Sequence, residues 1–334
     1  MKKLDIIVPQ YKEEDKIIRK LLHSINNQQG IDFDTIGILI INDCSNIKIT
    51  KKLLSEFPKL NIELLENSQN VGPGVTRQFG IDHSTAEYIT FIDADDTYFS
   101  RDSLQKALEI LNRQSPNILL TQWMEEYKEN NQIRNIRHFS DIIYLHGKFI
   151  KRQYLIDNKI RFSPNLRLHE DSYFSTLLLL TGKDIHKADI ITNYWRLNIN
   201  SIVRKKEKRH YLVRTFPELL ASNKELFKEL EKRDCPARWE YLIKSLTYLY
   251  CILCSAFFAD QKDIPLQKLK IEYEFEFYKY LCENLEVFEK IDSTTIATYM
   301  NQQFQIFTTS TGLNGFLESW QDFITRLSNT YEEE

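Results

Sequence analysis

The sequence predicts an α/β protein with a mostly parallel sheet flanked by helices, followed by a smaller all-helical domain. From residue 1 to about 125, short apolar runs alternate with amphipathic stretches of helical length, which is the pattern of βαβ units. Beyond Arg204, apolar residues recur at spacings of three and four, as they do along packed helices. Because 334 residues exceed the usual length of one domain, we expect two, residues 1–205 and 206–334, with the boundary near 205–215.

The first domain contains five predicted strands and four predicted helices. The strands are Leu4–Val8, Ile36–Ile41, Ile62–Leu65, Tyr88–Ile92 and Ile118–Gln122, and the helices lie near 14–27, 46–56, 74–85 and 103–113. Ligands bind beyond the carboxyl ends of the strands in such a sheet, so the residues directly after each apolar run are candidates for a site. Three of the first four such segments carry carboxylates. Carboxylates crowded at one edge repel each other unless a cation joins them.

Between residues 125 and 205 the pattern is mixed, and the helical domain follows. The amphipathic stretch Lys148–Asn158 precedes an acidic pair, Glu170 and Asp171, at the start of the apolar helix Ser172–Leu180. Taken alone, such a pair is typical of a helix N-terminus, where the macrodipole stabilises acids. The predicted helices of the second domain lie near 216–233, 236–259, 265–283, 293–306 and 314–328.

Composition excludes several classes of protein. With 42% hydrophobic and 27% charged residues, the chain has the composition of an ordinary soluble globular protein. The formal net charge of −3 argues against wholesale binding to polyanions, so nucleic acid is a disfavoured partner. The 9 glycines are too few for a glycine-repeat architecture or long flexible linkers.

Cysteine usage and the apolar runs indicate a cytoplasmic location. The five cysteines are scattered and odd in number, which argues against a disulfide framework and favours a reducing compartment. Cys251 and Cys254 form a CxxC inside an apolar run, and we expect plain core cysteines there. The first apolar run is too short for a signal peptide, and no uncharged run is long enough to span a membrane. Any membrane attachment is therefore expected to be peripheral, at the inner face.

The strongest candidate for chemistry is the acidic segment after the fourth strand. Asp93, Asp95 and Asp96 follow directly on the buried run Tyr88–Ile92. One or two carboxylates together with substrate phosphates are the usual ligands of Mg²⁺ or Mn²⁺. The alternative is an aspartate-rich turn that only caps the next helix.

A second candidate is the glycine-containing helix start Gly72-Pro73-Gly74, with Arg77 one turn further on. Backbone amides at a helix start favour anions, and an arginine there adds a charge-assisted contact to phosphate. The chain has neither a GxGxxG after its first strand nor a Walker A lysine, which argues against dinucleotide oxidoreductases and P-loop NTPases.

Two further residues suit a nucleoside. Tyr11, after the first strand, offers an aromatic face to a base, and Asp43, after the second, offers acceptors to a base or a ribose. Taken singly, a turn tyrosine and a loop aspartate explain them equally well.

In order along the chain, these motifs resemble the nucleotide-sugar-binding half of a family 2 glycosyltransferase with the GT-A fold. The resemblance covers roughly residues 3–203. The matching motifs are Val8-Pro9-x-Tyr11, Asn42-Asp43-x-Ser45, Asn70-x-Gly72 with Arg77 and Gly80, Glu87 to Asp96, Gly147-Lys148-Phe149, Ile160-Arg161-Phe162, His169 to Phe174, and Tyr194-Trp195-Arg196 with Ser201.

The resemblance implies a role for each matching residue. Pro9, Tyr11 and Asp43 match the residues that bind the nucleoside in the family. Glu13 is expected nearby, and Arg77 is expected close to the nucleotide. The family's DxD element, which binds the donor diphosphate through Mn²⁺ or Mg²⁺, matches Asp93 and Asp95, and Asp96 matches less closely. The family's Glu-Asp pair matches Glu170 and Asp171, of which the aspartate is usually the catalytic base.

The implied activity is a metal-dependent, inverting transfer of a sugar to an acceptor hydroxyl in glycan or polysaccharide biosynthesis. A UDP-sugar is the favoured donor, and the acceptor is a glycan, a lipid-linked molecule or a protein. Lys12, Asn42, Cys44 and Gln78 depart from the common family pattern. Because Asn42 and Cys44 flank Asp43, a non-catalytic nucleotide-sugar sensor or scaffold stays open. A sugar-phosphate nucleotidyltransferase is the other alternative, but Pro9–Asp15 lacks the glycine- and arginine-rich loop of that class.

Two features concern partners. Residues 204–214 carry six cationic side chains against one glutamate, which is typical of a solvated linker or helix face. The alternatives are contact with anionic lipid headgroups, a lipid-diphosphate acceptor or nucleic acid. Aromatic residues in the helical domain indicate a core or the interface of a homodimer.

Overall fold

The computed structural model describes residues 2–129, 132–139, 143–198, 208–255, 264–284, 293–311 and 318–331. The chain divides into two compact units, Met1–Asn198 and Ile199–Glu334. Ser201 and the first half of the basic segment 204–214 lie outside the described residues, so the roles expected of them stay predictions.

Nine strands in the described part of the first unit form one sheet, in the order β3-β2-β1-β4-β8-β6-β9-β5, with β7 paired to β6. The strands are β1 Leu4–Gln10, β2 Ile36–Asn42, β3 Asn61–Glu66, β4 Tyr88–Phe91, β5 Thr97–Tyr98, β6 Ile118–Glu129, β7 Gln132–His138, β8 Lys148–Lys151 and β9 Ile185–Trp195. The α/β class is confirmed. The predicted parallel arrangement holds across β3, β2, β1 and β4, but beyond β4 the short β8 pairs antiparallel with both β4 and β6.

Burial explains the strand pattern. The apolar runs of β1 and β2 are buried almost throughout because both are central strands with helices on both faces, whereas β3 at the edge is largely exposed. Gln10 pairs with Asn42, and Asn42 pairs with Glu66, so β1, β2 and β3 end at the same level. The loops that follow these strands therefore share one edge of the sheet.

The helices of this unit are α1 Asp15–Asn26, α2 Lys51–Ser55, α3 Pro73–His83, α4 Ser103–Gln114, α5 Arg152–Asp157 and α6 Glu170–Leu180. The amphipathic α1 buries Ile18, Leu21, Leu22 and Ile25 in the core that also contains the apolar side chains of β1 and β2. The second helix is shorter than predicted because Thr50 caps it, accepting a hydrogen bond from the N–H of Leu53.

The second unit is helical in all its described elements, as predicted. These are α7 Lys208–Lys232, α8 Arg238–Ser255, α9 Ile264–Cys282, α10 Ser293–Thr311 and α11 Trp320–Tyr331. Cys251 and Cys254 of α8 are free and buried in the hydrophobic core of this unit, which confirms the prediction of core cysteines. Burial raises the pKa of both thiols to about 12. Within the described ranges, no helix has the length and apolar character needed to cross a bilayer.

Candidate active site

The acidic segment after β4 presents its three aspartates differently. The Asp93 side chain is 43% exposed, and Asp95 is half-buried with its Oδ2 accepting a hydrogen bond from Asn198 Nδ2 at 2.7 Å. Asp96 is 1% exposed. Its Oδ1 accepts from the backbone N–H of Arg196 at 2.9 Å, and its Oδ2 lies 3.2 Å from His146 Nε2. Asp93 and Asp95 are thus accessible to a ligand, whereas Asp96 binds other parts of the protein.

Arg77, on α3, joins this segment to the start of α6. Its Nη2 donates to Asp93 Oδ1 at 2.7 Å, and its Nη1 donates to Glu170 Oε1 at 2.9 Å. Burial alone would lower the pKa of Arg77, but the carboxylates of Asp93 and Glu170 more than offset this effect and raise it. With 6% of its surface exposed and one N–H given to each carboxylate, Arg77 is turned toward the protein rather than toward solvent. Its predicted contact with the nucleotide therefore stays a prediction.

The two acids at the start of α6 have distinct environments. Glu170 is 6% exposed, and its burial, together with the charge of Asp171, raises its pKa above the usual range although Arg77 acts in the opposite direction. Asp171 is half-buried, with Oδ1 accepting the N–H of Ser172 at 2.7 Å. A Cβ atom at Gly74 would lie 2.7 Å from Glu170 Cγ, so the glycine allows α3 and α6 to approach this closely.

The carboxylate of Asp43 fixes the loop between β3 and α3 through four hydrogen bonds. Its Oδ1 accepts from Asn67 Nδ2 and from the N–H of Val71, both at 2.9 Å. Its Oδ2 accepts from Asn70 Nδ2 at 2.9 Å and from the N–H of Gly72 at 2.8 Å. Two donors on each oxygen use the acceptor capacity of a carboxylate. Contact of Asp43 with a nucleoside therefore stays a prediction.

The end of β1 places an aromatic face beside the acidic edge. Tyr11 is 44% exposed, and its N–H donates to Glu13 Oε2 at 2.6 Å. Burial raises the pKa of Glu13 to about 7, and the charges of Asp95 and Asp93 act in the same direction. Pro9, half-buried within β1, pairs with Ile41 of β2. The charge interaction places Glu13, and with it the neighbouring Tyr11, near residues 93–96, the DxD segment.

Two departures from the family pattern have a backbone explanation. Lys12 stands where asparagine is frequent and Cys44 where glycine is frequent, and they adopt φ values of 71° and 53°. Asparagine and glycine are the residues that adopt this left-handed region most readily. At both positions the backbone therefore has the conformation that the usual family residue favours, although the side chain differs. Nucleotide binding through backbone atoms is compatible with both departures.

His146 and Asn198 also belong to this region, although no sequence motif named above includes them. The motif Tyr194-Trp195-Arg196 signals that the end of β9 is special, and Asn198 follows two residues later. His146 carries no comparable signal, because its contact with Asp96 depends on the insertion of β8 between β4 and β6.

The donor set suits a divalent cation shared with a substrate rather than a closed metal cage. Across the described ranges, no cluster of three or more His, Cys, Asp or Glu side chains is arranged to hold a metal ion. Asp93 and Asp95 could supply the one or two carboxylates with which proteins usually bind Mg²⁺, the remaining ligands being phosphate and water. The charges of Asp95 and Asp93, which add to the effect of burial in raising the pKa of Glu13, also fit a cation at this edge.

The chain is similar to known sugar transferases. The family model described as "Glycosyl transferase family 2" matches residues 5–174. The poly(ribitol-phosphate) beta-N-acetylglucosaminyltransferase TarS of Staphylococcus aureus strain Mu50 is 27% identical over 199 residues, which are 55% of this chain and 34% of TarS. A poly(ribitol-phosphate) beta-glucosyltransferase of Bacillus spizizenii is 27% identical over 197 residues, 55% of this chain and 30% of that protein. The match thus spans about a third of the length of these relatives.

Two solved structures show the same fold. The crystal structure of residues 1–349 of S. aureus TarS aligns with a TM-score of 0.62 at 18% identity, covering 99% of this chain and 91% of that one. A mannosyltransferase from Pyrobaculum calidifontis, solved with GDP-Man and Mn²⁺, aligns with a TM-score of 0.52 at 16% identity, covering 99% and 88%. These likenesses confirm the predicted GT-A fold. Since the family model covers just over half of the chain, including every predicted site residue, the chain belongs to glycosyl transferase family 2.

Proposed function

We propose that the chain transfers a sugar from a nucleotide-diphosphate donor to an acceptor hydroxyl, with inversion at the anomeric carbon. The observation that carries the proposal is the bridge made by Arg77, which bonds both Asp93 of the DxD segment and Glu170 beside the predicted base. The guanidinium group of Arg77 therefore connects the residues proposed to bind the leaving diphosphate with the helix start that carries the proposed base. A UDP-sugar is the favoured donor, since TarS was solved with UDP and with UDP-GlcNAc.

On the donor side, Tyr11 offers its exposed ring to the base, beside Pro9 and Glu13. Asp43 shapes the loop that leads into α3 and accepts the N–H of Gly72, directly before the helix start. The first amides of α3 then favour the negative diphosphate. Asp43 therefore supports the donor site through the loop, and the base contact that the family resemblance implies requires one of its four donors to give way.

Asp93 and Asp95 would hold Mn²⁺ or Mg²⁺ together with the donor phosphates. A bound cation supplies neutralisation of the charge that develops on the departing diphosphate. The hydrogen bond from Arg77 Nη2 orients the Asp93 carboxylate, and that from Asn198 orients Asp95. The mannosyltransferase with Mn²⁺ supports a metal in this fold.

On the acceptor side, Asp171 acts as the general base. Its carboxylate takes the proton of the acceptor hydroxyl as the oxygen bonds to the anomeric carbon, and the bond from that carbon to the diphosphate breaks on the opposite face. Asp171 is more accessible than Glu170, which is buried and bonded to Arg77. We assign Glu170 the task of positioning Arg77 and the start of α6.

The acceptor is a hydroxyl of a glycan or a polyol-phosphate polymer. Both relatives compared above carry poly(ribitol-phosphate) in their names, which makes that polymer the first acceptor to test.

The deciding experiment is a thermal-shift screen of UDP-, GDP- and CDP-sugars with and without Mn²⁺. We expect a UDP-sugar to raise the melting temperature when Mn²⁺ is present, because a ligand that binds only the folded state stabilises it. Equal stabilisation without metal would favour the sensor alternative. Release of pyrophosphate from UTP and a sugar 1-phosphate would instead favour the nucleotidyltransferase.

A further inference from the structure

Asp96 is the third acid of the DxD segment, yet it is turned into the protein. Its side chain is about 1% exposed, and both oxygens contact the protein, one the N–H of Arg196 and the other His146 Nε2. Burying a carboxylate without partners is costly, so these two contacts stabilise the conformation of residues 93–96.

His146 is held in place by aromatic packing. Its ring stacks on Trp123 with centroids 4.9 Å apart and planes at 27°, and it lies 5.5 Å from the ring of Trp195. The ring therefore has little freedom to turn away from Asp96. Burial would lower the pKa of His146, but the hydrogen bond to Asp96 and the charge of that carboxylate more than offset this effect and raise it.

The segment after Asp93 is bound to the end of β9 at several further points. Asp95 accepts a hydrogen bond from Asn198, and Asp96 accepts the N–H of Arg196. The next two residues form β5, in which Thr97 pairs with Tyr194 of β9. His146 approaches the same segment from the loop before β8, so the segment is held from two elements.

We propose that His146 is a positioning residue: through Asp96 it fixes the loop that presents Asp93 and Asp95 to a divalent cation and a nucleoside diphosphate. The inference rests on the proposed function, because it concerns the geometry of the same donor site. Residues that orient metal-binding carboxylates without touching the metal typically change its affinity about 10- to 100-fold when they are replaced.

The test compares two histidines that stack on the same tryptophan. His146→Phe keeps a ring beside Trp123 but removes the hydrogen bond to Asp96. His138 also stacks on Trp123, with centroids 3.9 Å apart, but it bonds Glu125, outside the DxD segment. His138→Phe is therefore the matched control, and His146→Gln, which restores a side-chain N–H without the ring, is the rescue variant.

Binding of Mn²⁺ to the full chain in the presence of UDP is measured by electron paramagnetic resonance, and folding by the melting temperature. We expect His146→Phe to weaken Mn²⁺ binding about tenfold, and His138→Phe and His146→Gln to stay within about threefold of the wild type. If His146→Phe binds Mn²⁺ like the wild type, or if both phenylalanine variants weaken it equally, His146 has no positioning role. If His146→Phe fails to fold, the test rests on the folded His146→Gln variant. Tenfold weaker Mn²⁺ binding by that variant would overturn the proposal. A wild-type chain that binds neither UDP nor Mn²⁺ would overturn the proposed function and this inference together.

Discussion

Each unit of the chain contains an arginine that bonds two carboxylates. The two arginines differ in how many of their nitrogen atoms donate a hydrogen bond. In the helical unit, Arg326 makes two hydrogen bonds to Glu274, at 2.8 and 3.0 Å, and its Nε and Nη2 donate to Glu318. In the α/β unit, Arg77 gives one hydrogen bond to each carboxylate, and its buried Nε has no partner among the described residues.

We interpret the ion pairs of Arg326 as contacts that stabilise the fold, and those of Arg77 as contacts that serve the proposed site. A bidentate arginine with all its nitrogens engaged is a good structural contact. A buried donor without a partner costs stability and is retained where another demand outweighs that cost. In the proposed site, the other demand on Arg77 is to hold Asp93 while the carboxylate of Asp93 stays accessible to a ligand. Four predictions test this comparison, beginning with the largest effect.

Asp171→Asn, beside the functional bridge, should lower kcat about 10²- to 10⁴-fold, since a positioned base contributes that much. Donor binding should stay near the wild-type value, because Asp171 is not among the donor-binding residues. The measurement is steady-state turnover together with calorimetry of UDP binding.

The matched control is Asp322→Asn, which also removes an acid from the first turn of a helix, but in the second unit. It should leave turnover unchanged. Wild-type turnover in Asp171→Asn would show that the acid at the start of α6 serves only the helix.

Arg77→Lys should lower kcat about 10- to 100-fold and weaken Mn²⁺ binding. A lysine is a point charge that cannot hold two carboxylates in fixed orientations. Turnover and Mn²⁺ titrations measure the effect.

Arg326→Lys is the corresponding change in the second unit. It should lower the melting temperature by a few degrees and leave kcat unchanged, since its carboxylate partners serve folding. Equal losses of turnover in the two variants would remove the distinction between the two arginines.

Gly74→Ala should lower kcat about tenfold, because its Cβ would lie 2.7 Å from Glu170 Cγ and displace that side chain. Gly80→Ala also introduces a clash, at 2.6 Å from Ile7 Cγ2, but within the core. Both should cost about 1–3 kcal/mol of stability. A loss of turnover in the folded Gly80→Ala protein as large as in Gly74→Ala would contradict the specific role of the approach between α3 and α6.

Glu13→Gln should change stability by the smallest amount, and only at higher pH. The pKa of Glu13 is raised to about 7, so this carboxyl stays protonated in the folded chain up to about pH 7. Its contribution to stability therefore falls as the pH rises from its ordinary pKa to about 7, and the variant avoids that loss. In metal-free buffer at pH 8 we expect a gain on the order of 1 kcal/mol by urea unfolding, and little change at pH 4.5.

The neighbouring Glu14, which is exposed, provides the control. Glu14→Gln should show no comparable gain at pH 8. A pH-independent effect of Glu13→Gln would show that neither burial nor the charges of Asp95 and Asp93 keep the Glu13 carboxyl protonated up to about pH 7 in the folded chain.

The fold class, the positions of the first four strands along the chain and the choice of candidate residues could all be predicted from the sequence. These depend on local information: apolar runs set the strands, spacings of three and four set the helices, and a DxD after a buried strand is readable from adjacent letters. The helical second unit followed from the same periodicity. The Mn²⁺ or Mg²⁺, the acceptor and the roles of individual residues stay predictions.

The partners of those residues could not be predicted from the sequence, because they come from distant parts of the chain. Arg77 and Glu170 lie 93 positions apart, and Asp96 and Arg196 lie 100 apart. No local pattern predicts that Arg77 bonds two carboxylates, that Asp43 accepts four donors, or that Asp96 turns inward to His146. Such contacts depend on how β8 inserts into the sheet and how closely α3 packs on α6. Residue chemistry is a property of single positions, whereas hydrogen-bond partners arise from packing distant segments together.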